Sequence, residues 1–292
     1  MGLISPLLHI AGYTWLDWEL NPDVVLLCLV LEGVYLYAVN YLRPALSDAG
    51  RIKRSRVLVF TLGVLTIYAA SGSPLHGLAD HYLLAAHMTQ HVLLTLVAAP
   101  LLLAGMPGWL WQAVLRLPGA IPVAKYLTRP LVTIAVFNTA LLLFHLPGPL
   151  DYQLSHWWFH LFAHVALVLA GILMWWPVLS DVPELPRLSY PLQMGYLFVQ
   201  SLLPSVMASF ITFADGTIYP AYAEAPRIWG VSPIADQQIA GGIMKVGGSL
   251  ILWAFIGVAF FKWFAKEEAE ARSLPWPEVE EELDQMGLTT RR

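Results

Sequence analysis

Histidine is the residue of this chain best suited to chemistry, and eight of its nine histidines fall within 90 residues of one another. The eight are His76, His81, His87, His91, His145, His156, His160 and His164. His87 and His91 are four residues apart, and His160 and His164 have the same spacing, so each pair shares one face of a helix. Imidazole is a common ligand for transition metals. The sequence therefore predicts that these eight histidines bind a metal ion.

The composition indicates which elements position these residues. Apolar residues make up 58% of the chain and charged residues only 12%, about half the charge of a soluble domain. The apolar residues form blocks of roughly 20, the length that crosses a bilayer. Seven blocks are predicted as spans, at 23–42, 56–73, 82–104, 129–147, 157–179, 189–213 and 239–264. Runs of this length exclude a β-barrel, so the predicted fold is an all-α, polytopic membrane helix bundle with seven transmembrane helices.

The distribution of positive charge predicts the orientation of the bundle. Most of the 16 lysines and arginines fall in alternate loops and in the carboxy-terminal end. Positive residues mark the cytoplasmic face, so the amino terminus is predicted outside and the carboxy terminus in the cytoplasm. Three regions follow: an outer amino-terminal arm at 1–22, which contains His9, a membrane domain at 23–265 and an acidic cytoplasmic tail at 266–292.

This topology places the paired histidines at similar depths. Spans three and five both start outside, so His87 and His91 are predicted about 8 and 14 Å deep, and His160 and His164 about 5 and 11 Å deep. Ionisable groups inside lipid are costly and usually mark a working site. A single such histidine can instead serve as a hydrogen-bond partner for a neighbouring helix. That alternative does not account for the similar depth of the four histidines, because histidines with independent hydrogen-bonding roles would not all lie at one depth in the membrane.

Five further residues are predicted to support the site. Asp80, in the outer loop before span three, could orient an imidazole by accepting its second N–H. Asp236 stands at the outer start of span seven, where an acid also suits a helix amino terminus. Met88, Met207 and Met244 fall in the outer halves of spans, where a thioether would favour monovalent copper and is otherwise used for packing.

Several partner classes lack a sequence signature. The single cysteine, Cys28, excludes an internal disulfide and a CxxC metal motif. The chain shows no nucleotide-binding loop and no basic patch, so neither a nucleotide nor a nucleic acid is predicted as a partner. The lipid bilayer is the partner that the composition requires.

Four stretches together resemble a known family. They are HMTQHVLLTLVAAPLLLAGMP at 87–107, WWPVL at 175–179, TFADGTIYPAYA at 212–223 and SPIADQQIAGGIMKVGG at 232–248. In this order they resemble the CtaG family, the multi-spanning bacterial assembly factors for cytochrome c oxidase of the caa type. The resemblance implies a protein of the bacterial inner (plasma) membrane that works with cytochrome c oxidase subunits. It also implies copper delivery from the outer face, with His76, His87, His91, His145, His160, His164 and Asp236 as family positions.

Other functions remain open at this stage. The leading hypothesis is not enzymatic: a transient copper site that hands metal to the oxidase. A membrane di-iron oxygenase or desaturase also uses about eight histidines, but this chain lacks the His-His dipeptide of such enzymes. A haem held by one histidine from span three and one from span five is a third hypothesis. A transporter is a fourth, although the paired broken helices and repeats of transporters are missing.

Overall fold

The structure, a computed structural model, describes residues 21–42, 52–273 and 276–287. Every regular element in these residues is helical. In chain order the helices are α1 (Pro22–Leu42), α2 (Arg54–Ser71), α3 (Pro74–His81), α4 (Leu84–Gly105), α5 (Gly108–Leu115), α6 (Ala120–Leu127), α7 (Pro130–His145), α8 (Pro147–Ser155), α9 (Trp157–Leu179), α10 (Tyr190–Thr212), α11 (Pro220–Glu224), α12 (Pro233–Arg272) and α13 (Trp276–Gln285). The predicted all-α class is confirmed.

The helices include enough long apolar segments to make this a polytopic membrane protein. Helices α1, α4, α9, α10 and α12 are each long and apolar enough to cross a bilayer. Two pairs of consecutive helices are each joined at a bend, α2 with α3 at 43° and α6 with α7 at 75°, and each pair adds one more span if it is counted as a single span. The described residues therefore hold five to seven candidate spans, and the upper figure is the number that the sequence predicts.

Proline and serine set where several of these helices begin. Proline opens α1, α3, α7, α8, α11 and α12, because its fixed φ suits the first helical position, where no N–H bond is needed. The hydroxyl of Ser73 accepts a bond from Leu75 N before α3, and that of Ser232 accepts one from Ala235 N before α12. These caps satisfy backbone donors that would otherwise be left unpaired at the helix start.

One local prediction is wrong, and one helix is longer than the span predicted within it. The segment with His76, Asp80 and His81 is not a loop, because the Ser73 cap and Pro74 start the two-turn helix α3 there. The helix that contains the last predicted span, α12, begins at Pro233, six residues before the predicted span. Its first turns contain Asp236 and Gln237, which lower the hydropathy of the segment but are buried and hydrogen-bonded to α4 and α10.

Helix α4 lies at the centre of the bundle and packs against α2, α3, α9 and α12. The largest apolar cluster joins α4, α7, α9, α10 and α12 around the fully buried Trp175. A second cluster joins α1, α2 and α4 around Phe60. The starts of α4 and α9 and the end of α7 meet at one end of the bundle, which we call the histidine end. The predicted arm at 1–22, with His9, lies outside the described residues up to position 20.

Candidate metal site

Six of the eight predicted histidines meet at the histidine end. This group, which we call the histidine cluster, consists of His76 and Asp80 from α3, His87 and His91 from α4, His145 from α7, and His160 and His164 from α9. Ring centroids lie 4.4 Å apart for His87 and His91 and 4.3 Å apart for His160 and His164. The two helices meet through His87 and His160, with centroids 5.8 Å apart. The two histidine pairs that were predicted from their spacing therefore face each other.

One side of the cluster is held by a chain of hydrogen bonds that determines where the protons lie. The carbonyl oxygen of Leu141 is 2.6 Å from His145 Nδ1 and can only accept, so this nitrogen carries the proton. In the neutral ring His145 Nε2 is then an acceptor, and it lies 2.9 Å from His91 Nδ1, which must donate. His91 Nε2 is consequently left with a lone pair. This atom is buried and has no partner.

Asp80 organises the other side of the cluster. Its Oδ2 lies 3.5 Å from His76 Nε2 and 3.5 Å from His160 Nδ1. A carboxylate only accepts, so both of these nitrogens carry protons in the neutral rings. The amide of Gln90 fits this assignment, because its Nε2 donates to His76 Nδ1 at 3.1 Å. His160 Nε2 then offers a lone pair, and it faces His164 Nε2 at 3.1 Å.

The imidazole of His87 stands between these two sides without a hydrogen bond. Its side chain is fully buried, and neither Nδ1 nor Nε2 has a partner. Asp80 Oδ1 is also buried and unpaired. A buried polar atom without a bond costs about 1–3 kcal/mol, so a group of them at one place calls for an explanation. A bound cation would satisfy Asp80 Oδ1 and the one His87 nitrogen that carries a lone pair in the neutral ring.

The spacing of the donor atoms is compatible with a metal ion. One donor atom each from Asp80, His87 and His160 can be chosen so that all three lie within 4.8 Å of one another. With metal–nitrogen bonds of about 2.0 Å, two tetrahedral ligands lie about 3.3 Å apart. The separation of 3.1 Å between His160 Nε2 and His164 Nε2 is close to this value. The residues present therefore fit a metal bound by imidazole and carboxylate.

A π-helical turn follows His91 and helps to set the distance between α4 and α9. Residues Leu93–Ala98 form this turn, and such turns are frequent at functional sites. Trp175 Nε1 on α9 donates to the carbonyl of Thr95 within the turn at 3.0 Å. Gly171 permits the close approach, since a Cβ there would lie 3.2 Å from the same carbonyl oxygen and 3.0 Å from Ala99 Cβ.

Asp236 acts on the cluster through the start of α4. Its Oδ2 accepts from Leu84 N at 2.8 Å and its Oδ1 from Ala85 N at 3.0 Å. The residue before α4 is Leu83, whose side chain cannot cap the helix. Asp236 therefore caps α4 from a different helix, α12, and positions the turn that precedes His87.

The three methionines lie mainly in apolar packing. Met88 and Met244 belong to one buried cluster with Leu84 and Leu150, and Met207 packs against its edge. Met244 also borders a pocket of about 40 Å³ that reaches His91. The donor atoms that lie together with one of His87 belong to Asp80 and His160.

Two predicted histidines lie apart from the cluster. His81 ends α3 with an exposed side chain beside Tyr82. His156 precedes α9, where its ring stacks on Tyr152 at 3.9 Å and its Nδ1 bonds to Ser155 Oγ. Both lie at the histidine end, and each has local partners that account for its position.

Three residues that sequence analysis missed complete the surroundings. Gln90 is fully buried and also donates to Ala70 O at 2.8 Å. Its position inside HMTQH, three residues after His87, was a signal in the sequence. Tyr222 donates to Ala79 O at 2.6 Å and its ring lies 6.2 Å from that of His87, while Tyr219 donates to His145 O. Burial raises the pKa of Tyr222 well above its usual value and that of Tyr219 to about 12, so both phenols remain donors.

Comparison with known proteins agrees with the resemblance seen in the sequence. The family model described as cytochrome c oxidase caa3 assembly factor (Caa3_CtaG) matches residues 33–266. Two similar curated proteins are an uncharacterized protein of Mycobacterium bovis and one of Mycobacterium tuberculosis. Each is 24% identical over 204 residues, which cover 64% of this chain and 31% of the relative. The chain thus spans about a third of the length of these relatives, and no solved structure matches it significantly.

Proposed function

Since the chain belongs to the family of cytochrome c oxidase caa3 assembly factors, we propose that it binds copper in the histidine cluster and transfers it to the oxidase. The observation that carries this proposal is the set of buried, unpaired atoms on His87, His91 and Asp80. Donor atoms of His87, Asp80 and His160, from three helices, lie within 4.8 Å of one another, which separate packing roles do not explain.

The donor types favour copper among the metals available. Imidazole binds copper, zinc, iron and nickel, and nitrogen and oxygen sites bind divalent copper more tightly than the other divalent first-row ions. A site for transfer must also release its ion. Asp80 and His76 remain about one-fifth exposed, whereas His87 and His91 are sealed. This difference gives the ion an open side by which it can enter and leave.

The role proposed here is not enzymatic, and copper is the cargo rather than a resident cofactor. The distribution of lysine and arginine in the sequence predicts that the histidine end lies outside the cytoplasm. We therefore propose a site in the outer half of a bacterial inner membrane, with the oxidase subunit that receives copper as the partner. The predicted arm and the acidic tail flank this membrane domain.

Metal analysis of the purified full-length chain tests the proposal. We expect copper in the wild-type protein after growth with added copper, and little copper in the variants His87→Ala and His91→Ala. His156→Ala is the matched control, because this histidine lies at the same end of the bundle with its own local partners. It should keep its copper.

Two results would contradict the copper site. One is equal copper content in the wild type, His87→Ala and His156→Ala. The other is a stoichiometric metal other than copper, or a haem absorbance band, that disappears in His87→Ala. The second result would keep the site but change its ligand to iron, zinc or haem.

A further inference from the structure

A small polar pocket adjoins the histidine cluster on the side of α3. Its volume is about 80 Å³, and its lining consists of Asn21, Ser73, Pro74, His76, Gly77, Asp80 and His81. Most of the wall is α3 itself, which begins after the Ser73 cap and ends at His81. We call it the α3 pocket. His76 and Asp80 belong both to this pocket and to the histidine cluster, so the pocket is in contact with the cluster.

Three side chains in the α3 pocket have polar atoms that the fold does not use. The exposed ring of His81 meets the ring of Tyr82 edge-on, and its nitrogens form no hydrogen bond with any residue that the structure describes. Asn21 precedes α1 without capping it through its side chain. Asp80 Oδ1 is unpaired. Ser73 differs, because its hydroxyl caps α3. The pocket therefore offers imidazole, amide and carboxylate groups to a ligand.

We propose that the α3 pocket is a second, weaker copper site, where His81, Asp80 and Asn21 hold a partly hydrated Cu²⁺ ion before it enters the histidine cluster. This inference rests on the proposed copper function. It adds the form in which the metal arrives, a hydrated divalent ion, and the route by which the ion reaches the buried His87.

The donor types and the charge of the α3 pocket favour a divalent cation. The lining provides oxygen and nitrogen donors and no sulfur. Such donors suit divalent copper, whereas monovalent copper prefers thiolate and thioether. No lysine or arginine occurs among the described lining residues, and a second acid, Asp23, borders the neighbouring cleft together with Asp80, so the local charge attracts a cation. One water molecule needs about 10–15 Å³, so the pocket has room for an ion that keeps part of its water shell.

Asp80 is the residue that connects the α3 pocket to the histidine cluster. Its Oδ2 lies 3.5 Å from His76 Nε2 and 3.5 Å from His160 Nδ1. One of its oxygens also lies within 4.8 Å of donor atoms of His87 and His160. Removing all the water from a cation before it meets new ligands is costly, because a bare charge in an apolar environment is unfavourable. An ion held by Asp80 avoids this cost, since imidazoles of the cluster can replace its waters one at a time.

The rate of copper loading tests this route. Metal-free, purified full-length protein is mixed with Cu²⁺, unbound metal is removed with a chelator after a set time, and the bound copper is measured. His81→Ala should load several-fold more slowly than the wild type and reach the same final copper content. His81→Asp keeps a metal-binding side chain, so it should load faster than His81→Ala, which a purely structural role of His81 does not predict.

His156→Ala is the matched control for the loading rate. This histidine lies at the same end of the bundle but does not line the α3 pocket, so His156→Ala should load at the wild-type rate. Three results would overturn the inference: equal loading rates in the wild type and His81→Ala, equal slowing in His156→Ala, or a rate in His81→Asp no higher than that in His81→Ala.

A variant with an incomplete histidine cluster shows the α3 pocket directly. In His87→Ala, titration with Cu²⁺ should give the electron paramagnetic resonance signal of a weakly bound ion coupled to nitrogen, and the double variant His87→Ala/His81→Ala should lack it. The same signal in both variants, or no signal in His87→Ala, would contradict the α3 pocket. If His87→Ala does not fold, the loading rates decide alone.

The failure of this inference is distinguishable from the failure of the proposed function. A wild-type chain that binds no copper refutes the copper site itself. A copper-loaded wild-type chain whose loading rate does not depend on His81 refutes only the α3 pocket.

Discussion

Replacing Asp236 tests whether a residue of one helix positions the histidines of another. Both carboxylate oxygens accept bonds from backbone N–H groups at the start of α4. In Asp236→Ala these two donors lose their partners, and the side chain of Leu83 cannot replace them. We expect the first turn of α4 to fray and His87, three residues further on, to lose its fixed position.

The two bonds set the size of the effect. Hydrogen bonds to a charged group contribute about 1.5–3 kcal/mol each. The low end applies here because alanine also removes the cost of burying the carboxylate, so Asp236→Ala should lower the free energy of unfolding by about 3 kcal/mol. Asp236→Asn keeps one acceptor oxygen and turns its amide towards the other N–H, so it should lose about half as much.

Unfolding in a denaturing detergent, followed by helix content, measures this loss. Asp215→Ala is the control for removal of an exposed acid and should change the free energy of unfolding by less than about 0.5 kcal/mol. Thr133→Val controls for general destabilisation, because Thr133 is fully buried in α7 and bonds to Tyr196 far from the cluster. Copper content should fall in Asp236→Ala but not in Thr133→Val. Equal stability of Asp236→Ala and Asp215→Ala, or equal copper in Asp236→Ala and Thr133→Val, would refute the reasoning.

Three further variants test the supports around the cluster. Gly171→Ala places a methyl group against Thr95 and Ala99 of α4, so unfolding measurements should show a loss of about 1–3 kcal/mol, whereas Gly195→Ala, with open space around it, should lose none. Trp175→Phe removes the hydrogen bond to Thr95 O and should lower the free energy of unfolding by about 1–3 kcal/mol in the same assay. Trp253→Phe is its control, because the side chain of Trp253 is half-exposed, and it should show no such loss. Gln90→Leu removes the bond that orients His76, so copper titration should show an affinity about 10–100-fold weaker, and an unchanged affinity would mean that Gln90 does not orient a ligand.

The spans could be predicted from sequence because each depends on the length of a single apolar segment. The fifth span, Trp157–Leu179, has the ends that were expected. It could also be predicted that His87 and His160 lie close together. Helical spacing determines the side of the helix on which each histidine lies, and the order of the spans determines its depth in the membrane. Both inferences use information contained within one segment at a time.

The contacts between segments could not be predicted in this way. Asp236 bonds to residues more than 150 positions away in sequence, and no pattern near Leu84 shows that its helix needs a cap from elsewhere. Helix α3, which contains His76, was missed for a different reason. Histidine and aspartate lower the mean hydropathy of this segment, so it was predicted as a loop. Gln90 was overlooked because glutamine is not a metal ligand, although its burial in a span has the same cost as that of a histidine.

The difference between the two sides of the cluster would allow the proposed copper site both to hold and to release an ion. On the side of α4 and α7, the sequence of bonds from Leu141 through His145 to His91 leaves the lone pair of His91 Nε2 in a fixed place. On the side of α3 and α9, Asp80 has an unpaired oxygen, and His160 and His164 border a cleft of about 590 Å³ between α1, α2 and α9. Fixed ligands on one side lower the entropy cost of capture, and accessible ligands on the other allow an incoming donor to replace them one at a time. A site sealed on both sides would retain its copper, and a site open on both sides would lose the preorganisation that favours binding.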